Sequence, residues 1–208
     1  SMRRILMSSL PGVAVTSIRI NGVLHEFTAI PGISEDVAEI ILNIKGIHAK
    51  LHSDGPVTAN INAKGPCTVT AGDIFGDSSL EIINTDHVIA TLSENAVLNM
   101  ELVFSKGIGY VSAANNKYEE MPIDTIAVDS IYTPITKVNY TVDSTRIGRA
   151  SDYDKLTIDV WTNGTINPKE AISLSAKILS DYMALFVNLA DNVGGLEMMV
   201  EKEEEKKT

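Results

Sequence analysis

Apolar and polar positions alternate through most of this chain, and the period is more often that of strands than of helices. Val57, Ala59 and Ile61 are interleaved with polar neighbours, as are Leu98, Met100, Leu102 and Phe104, a pattern that predicts strands with one covered face. Val138, Tyr140 and Val142 repeat it, and Leu156, Ile158 and Val160 repeat it again ahead of an Asn163-Gly164 turn. Helical spacing interrupts in three places. Arg3 to Leu10 reads as the end of an apolar helix that stops at Pro11-Gly12. Ser34 suits a helix cap, Glu35 and Asp36 suit the positive helix start, and Val37, Ile40, Ile41 and Ile44 make one stripe before Gly46. The third helix has Asn167 as its cap, Pro168 in its first position and Glu170 in its first turn. It is expected to run to about Leu189, a length of about 33 Å.

That last helix is apolar over more than one stripe. Ile172, Leu179, Met183 and Phe186 lie on one side, and Leu174, Ile178, Leu185 and Leu189 lie on an adjacent one. A single sheet covers only one of them, so a second surface is needed. The one other amino-terminal helix is the stub from Arg3 to Leu10, which makes a partner subunit the natural cover.

Composition narrows the function. The formal net charge of −10 opposes phosphate binding, which depends on Lys and Arg displacing counterions. Aromatic residues at 5% leave little for a base-stacking surface, so a nucleic-acid-binding module is disfavoured. Part of the acidity lies in the tail from Glu197 to Lys207, which favours solvent over burial. With a single cysteine, Cys67, no internal disulfide can form, and a reducing cytoplasm is the simplest setting. No apolar run approaches the roughly 20 residues that span a bilayer, so no membrane partner is expected.

Candidate chemistry is sparse. His48 and His52 have helical spacing, but Ile47 to Leu51 alternates like a strand, so His25, His48, His52 and His87 are expected as surface or edge-strand side chains rather than zinc ligands. Ser8 and His25 could join an aspartate in a nucleophilic triad only on paper, because no G-x-S-x-G elbow presents the serine. Cys67 is expected as a small buried core residue. Gly107-Ile108-Gly109 is too short for a dinucleotide fingerprint, no Walker sequence occurs, and no aspartate cluster is present to hold catalytic magnesium. No cofactor and no catalytic residue are assigned.

Several separated motifs carry a family resemblance. Arg3-Arg4-Ile5-Leu6-Met7-Ser8-Ser9-Leu10-Pro11-Gly12 is similar to the helix end of the bacterial RNA polymerase alpha subunit, in its amino-terminal, assembly-directing domain. Asn21-Gly22-Val23-Leu24-His25-Glu26-Phe27, Glu35-Asp36 with Glu39 to Gly46, and Lys106-Gly107 through Gly109-Tyr110-Val111 follow in the family's order. Val128-Asp129, Tyr132 with Pro134, and Thr162-Asn163-Gly164-Thr165-Ile166 through Pro168 to Glu170-Ala171 extend the resemblance toward Leu189. It implies an α+β fold: a discontinuous dimerisation domain, an antiparallel sheet with a long helix, made from residues 1–11 and 135–191. A β-rich domain at 12–134 would be inserted between them, and 192–208 would begin a flexible linker.

The resemblance also implies a role. The chain would be a non-catalytic scaffold of DNA-directed RNA polymerase, forming a homodimer whose two copies of one surface dock different large subunits. Arg3, Arg4, Asn21, Gly22, His25, Glu26 and Phe27 would meet the beta subunit. Lys45, Val128 and Asp129 would meet beta-prime on the other protomer. Ile5, Ile172, Leu179, Met183 and Phe186 would line the dimer interface, each long helix packing near its symmetry mate. The family's pattern includes a few dozen residues before Arg3, with a strand and the first half of a helix, and their loss would leave a strand edge unpaired and weaken dimerisation. It also includes a carboxy-terminal DNA-binding domain beyond Thr208, so promoter contacts are not expected of this fragment. The alternative is a stand-alone β-rich protein that binds or transforms a small molecule.

Overall fold

A computed structural model describes residues 1–147 and 150–187. The expected helix end at Leu189, the domain end at residue 191 and the tail lie outside the described residues. The fold is α+β, and its strand pairings are antiparallel. The chain opens with α1 (Met2–Ser8), β1 (Pro11–Ile20), α2 (Val37–Ile44), β2 (Ala49–Leu51) and β3 (Val57–Lys64). β4 (Cys67–Thr70), β5 (Phe75–Gly76), β6 (Leu80–Ile82), β7 (Val88–Leu92), β8 (Val97–Ile108) and β9 (Tyr110–Val111) follow. The last elements are α3 (Ala113–Asn116), β10 (Thr125–Ala127), β11 (Ser130–Ile131), β12 (Ile135–Ile147), β13 (Ala150–Thr162) and α4 (Pro168–Val187).

Two apolar cores form. The larger lies on one face of a five-stranded sheet ordered β10-β1-β8-β3-β5. β8 sits at its centre and turns Leu98, Met100, Leu102 and Phe104 inward, where α2 and the β4–β7 pair meet them with Val37, Ile40, Ile44, Val69 and Ile89. β1 needs a correction to its pleat, because Val15 is an odd position and Ile18 and Ile20 are even. The register slips between Val15 and Ser17 where it pairs with β8. One extra residue on a bulged strand lets both sets face the same core.

α2 starts two residues later than its sequence suggests. Asp36, not Ser34, is the cap: its carboxylate accepts from the Glu39 N–H at 2.7 Å, while the Glu39 carboxylate accepts from the Asp36 N–H at 3.1 Å. This reciprocal box satisfies two unpaired donors together. Glu35 is thereby free to reach β7, where it accepts from the Thr91 N–H at 2.6 Å and hydroxyl at 3.0 Å. A long-range partner has displaced a local one.

The smaller core holds Leu6, Leu10, Ile135, Val138 and Ala171. β12 and β13 form a two-stranded ribbon, and α1 and α4 lie on one of its faces. Asn167 caps α4 by accepting from the Lys169 N–H at 3.0 Å, and the small residues Ala171 and Ser175 are fully buried. The two cores meet at a seam built for backbone contact. Gly12 pairs with Gly107 across β1 and β8, and Tyr132 lies over both: a Cβ on Gly12 would collide with the Tyr132 carbonyl, and one on Gly107 would come within 2.6 Å of its ring.

Candidate functional site

Three surfaces take up the predicted residues. The first is the outer side of α1, α4 and the ribbon. Val138, Tyr140 and Val142 of β12 stand opposite Val160, Ile158 and Leu156 of β13, all on one face of the pleat. The helices cover the Val138–Val160 end, but Tyr140, Val142 and Leu156 are exposed. A groove of about 570 Å³ runs there, lined by Met2, Arg3, Arg4, Tyr140, Leu156 and Leu179 among others. On α4, Leu174 and Ile178 pack on the chain's own core, whereas Met183 and Phe186 are exposed and Ile172 and Leu179 are half-buried, as is Ile5 on α1. Leu185, on the same stripe as Leu174 and Ile178, is exposed as well. It lies beyond the helix's buried positions, Ala171 and Ser175.

The second surface is split. Arg3 and Arg4 stand before β1, and the loop from Asn21 to Phe27 follows it, so the length of a ten-residue strand, about 33 Å, separates them. The two arginines also differ. Arg3 donates from Nε to the Val138 carbonyl at 3.2 Å and ties α1 to β12. Arg4 is exposed at the rim of the groove and makes no ion pair among the described residues. In the loop, Gly22 turns the chain at φ 82°. Phe27 is 85% exposed, with Leu24 also uncovered. The His25 ring lies 6.5 Å from that of Phe27 and its Nδ1 is 3.1 Å from the Thr28 hydroxyl. Glu26 is exposed beside them.

The third surface is a half-buried ion pair. Lys45, at the C-terminal cap of α2, puts Nζ 3.2 Å from the Asp129 carboxylate, although 84 residues separate them. The other carboxylate oxygen of Asp129 accepts from the Ala113 N–H at 2.8 Å. The Ala113 N–H first, then the Lys45 ammonium and the Tyr110 hydroxyl, hold the Asp129 carboxyl below its ordinary pKa. Val128 contributes differently: its side chain is buried in the larger core, and its carbonyl accepts from Asn116 Nδ2 at 2.7 Å. The same Asn116 nitrogen reaches Ser130 Oγ at 2.9 Å, and Ser130 donates to the Val15 carbonyl at 2.7 Å. Asn116 and Ser130 were not picked out from sequence, where no pattern marks two lone polar residues as the support of a third.

The remaining candidates have ordinary surroundings. Cys67 is exposed, not buried. It opens β4 at the rim, where Lys64, Pro66 and Thr68 are exposed too. His52 lies 3.3 Å from the Glu81 carboxylate. His48 is half-buried, and burial first, the nearby His87 second, lower its pKa below 6.5. Among the described residues no three of His, Cys, Asp and Glu gather as metal ligands. No described helix is long and apolar enough to cross a membrane.

The described residues thus present an uncovered apolar face, an exposed aromatic loop and a braced ion pair. A family model described as RNA polymerase Rpb3/RpoA insert domain matches residues 18–133, and the chain belongs to that family. It is similar to a DNA-directed RNA polymerase subunit alpha of Alkaliphilus oremlandii (strain OhILAs), 56% identical over 207 residues, covering 100% of this chain and 65% of that protein. A protein of the same name from Clostridium botulinum (strain Eklund 17B / Type B) is 55% identical over 207 residues, covering 100% of this chain and 66% of that protein. The chain thus spans about 65% of the length of the relatives it matches.

Proposed function

We propose that this chain is a non-catalytic scaffold subunit of bacterial DNA-directed RNA polymerase, working in the cytoplasm, that pairs with a second copy and docks the beta and beta-prime subunits. The observation that carries the pairing is uncovered apolar surface: Tyr140, Val142 and Leu156 line a groove with Leu179 of α4, and Met183 and Phe186 are exposed one and two turns further along that helix. Residues of this size stay wet in a lone chain, and a two-fold contact covers the same patch on both copies at once. Residues 1–11 and 135–191 form the pairing unit in this reading, and 12–134 form the inserted unit that carries the Lys45–Asp129 pair.

Similarity to alpha subunits along the whole chain supports the choice of partners. One protomer offers Arg4 and the Leu24–Phe27 loop to beta, and the other offers the neighbourhood of Lys45 and Asp129 to beta-prime. The catalytic centre lies in the large subunits in this reading. Purified beta and beta-prime, each immobilised in turn, test the division. Phe27→Ser should weaken beta capture and spare beta-prime, and Lys45→Ala should do the reverse. Equal losses for both large subunits, or none, would count against separate docking surfaces.

A further inference from the structure

The end of α2 is fastened by side chains outside the three surfaces described above. The stretch between β6 and β7 folds over it. His87 points Nε2 at the Asn43 carbonyl at 2.7 Å. A carbonyl only accepts, so that nitrogen carries the proton. Asn84 donates from Nδ2 to the Gly46 carbonyl at 2.8 Å, and its Oδ1 accepts from the His48 N–H at 2.7 Å. Asn43 returns the link by donating to the Ile89 carbonyl at 2.9 Å. Helix-end carbonyls lack partners within the helix; the Asn43 carbonyl, which also accepts from the Gly46 N–H at 3.0 Å, and the Gly46 carbonyl just past the helix each receive a side-chain donor from this one loop.

Gly46 makes the contact possible, because a Cβ there would stand 2.7 Å from His87 Nε2. Lys45 sits between the two fastened positions, Asn43 and Gly46. A lysine carries four rotatable side-chain bonds and loses considerable rotamer freedom when held in one place. Its ammonium stays 3.2 Å from Asp129 only while the helix end keeps its place. Asp129 is braced independently from the other side, through the Ala113 N–H.

We infer that His87 and Asn84 are positioning residues for the Lys45–Asp129 docking surface: they fix the end of α2 so that Lys45 is presented in one geometry. The inference rests on the docking reading proposed above, and it assigns neither residue a contact with the partner. Losing one of these hydrogen bonds should weaken beta-prime binding a few-fold to about tenfold, the range of one net hydrogen bond. Binding at Arg4 and the Leu24–Phe27 loop should be unaffected.

The experiment measures beta-prime affinity for the chain and its Lys45→Ala, His87→Ala, His87→Gln, Asn84→Asp and Lys45→Ala/His87→Ala variants, with melting temperature and beta affinity recorded for each. His87→Gln retains a donor at the reach of Nε2 and should bind like the parent. Asn84→Asp keeps the acceptor for the His48 N–H but loses the donor to Gly46, so it deletes one bond even if His87→Ala proves too unstable to assay. The expected result is weaker beta-prime binding for His87→Ala and Asn84→Asp, unchanged beta binding, and no further loss when His87→Ala is added to Lys45→Ala. If Lys45→Ala weakens binding but His87→Ala and Asn84→Asp do not, or their losses add in full to it, the positioning role is overturned and the docking surface stands. If Lys45→Ala itself changes nothing, the docking surface is overturned, and the positioning role with it.

Discussion

Replacing Phe186 with serine tests whether the outer face of α4 is an interface. The side chain is 66% exposed. Burying a whole phenylalanine side chain contributes about 1.5–3 kcal/mol, so covering the exposed two thirds contributes roughly 1–2 kcal/mol. A two-fold contact contains the residue twice, and Phe186→Ser should therefore cost roughly 2–4 kcal/mol per dimer. At about 1.4 kcal/mol per decade, the dissociation constant should rise about 25- to 700-fold. The same exposure means the protomer's own core loses little, and its stability should change by no more than about 0.5 kcal/mol. Sedimentation velocity over a dilution series reads the dissociation constant, and a circular dichroism melt reads the fold. An unchanged dissociation constant beside an unchanged melt would refute the assignment of this face.

The two arginines of α1 should separate. Arg4→Ala should weaken beta capture by roughly 2–5 kcal/mol, the cost of truncating one member of a buried charge pair, and leave the melt alone. Arg3→Ala removes a bond to the Val138 carbonyl and should cost about 1 kcal/mol of stability in a urea titration; the opposite assignment of effects would contradict the geometry. Gly12→Ala drives a methyl into the Tyr132 carbonyl, and the backbone shift that follows should cost about 1–3 kcal/mol by the same titration; an unmoved midpoint would mean that the seam yields freely. His48 has a folded-state pKa below its ordinary 6.5, so the unfolded chain binds its proton first. That contribution to stability is complete above 6.5, declines as pH falls below it and levels off under the folded value. Melting temperatures across that window should show a decline that His48→Asn reduces, and identical profiles would count against burial as the cause.

How much of this was legible in the sequence depended on the range of the interactions. The strands around Val57–Ile61 and Leu98–Phe104 follow directly from alternation, because one covered face is a local pattern. The start of α2 differs from the local pattern because Glu35 finds Thr91 on another strand, and no local rule ranks that partner above the helix dipole. General preference puts Cys67 inside, whereas its position at the start of β4 leaves it exposed. The surfaces were less legible than the fold. Lys45 and Asp129 were named through a resemblance, and their 3.2 Å contact joins residues too far apart in sequence for periodicity to connect. His87 read as a surface or edge-strand histidine. Its task is visible only when the Asn43 carbonyl and the space above Gly46 are seen together.

In the proposed assembly, two copies of this chain bring two different large subunits together. Light scattering after size exclusion, on the chain alone and on its mixture with beta and beta-prime, measures that directly. The chain alone should be a dimer, and the mixture should have the mass of two copies of the chain with one beta and one beta-prime. A monomer that binds neither large subunit, or a dimer that binds two copies of the same one, would contradict it.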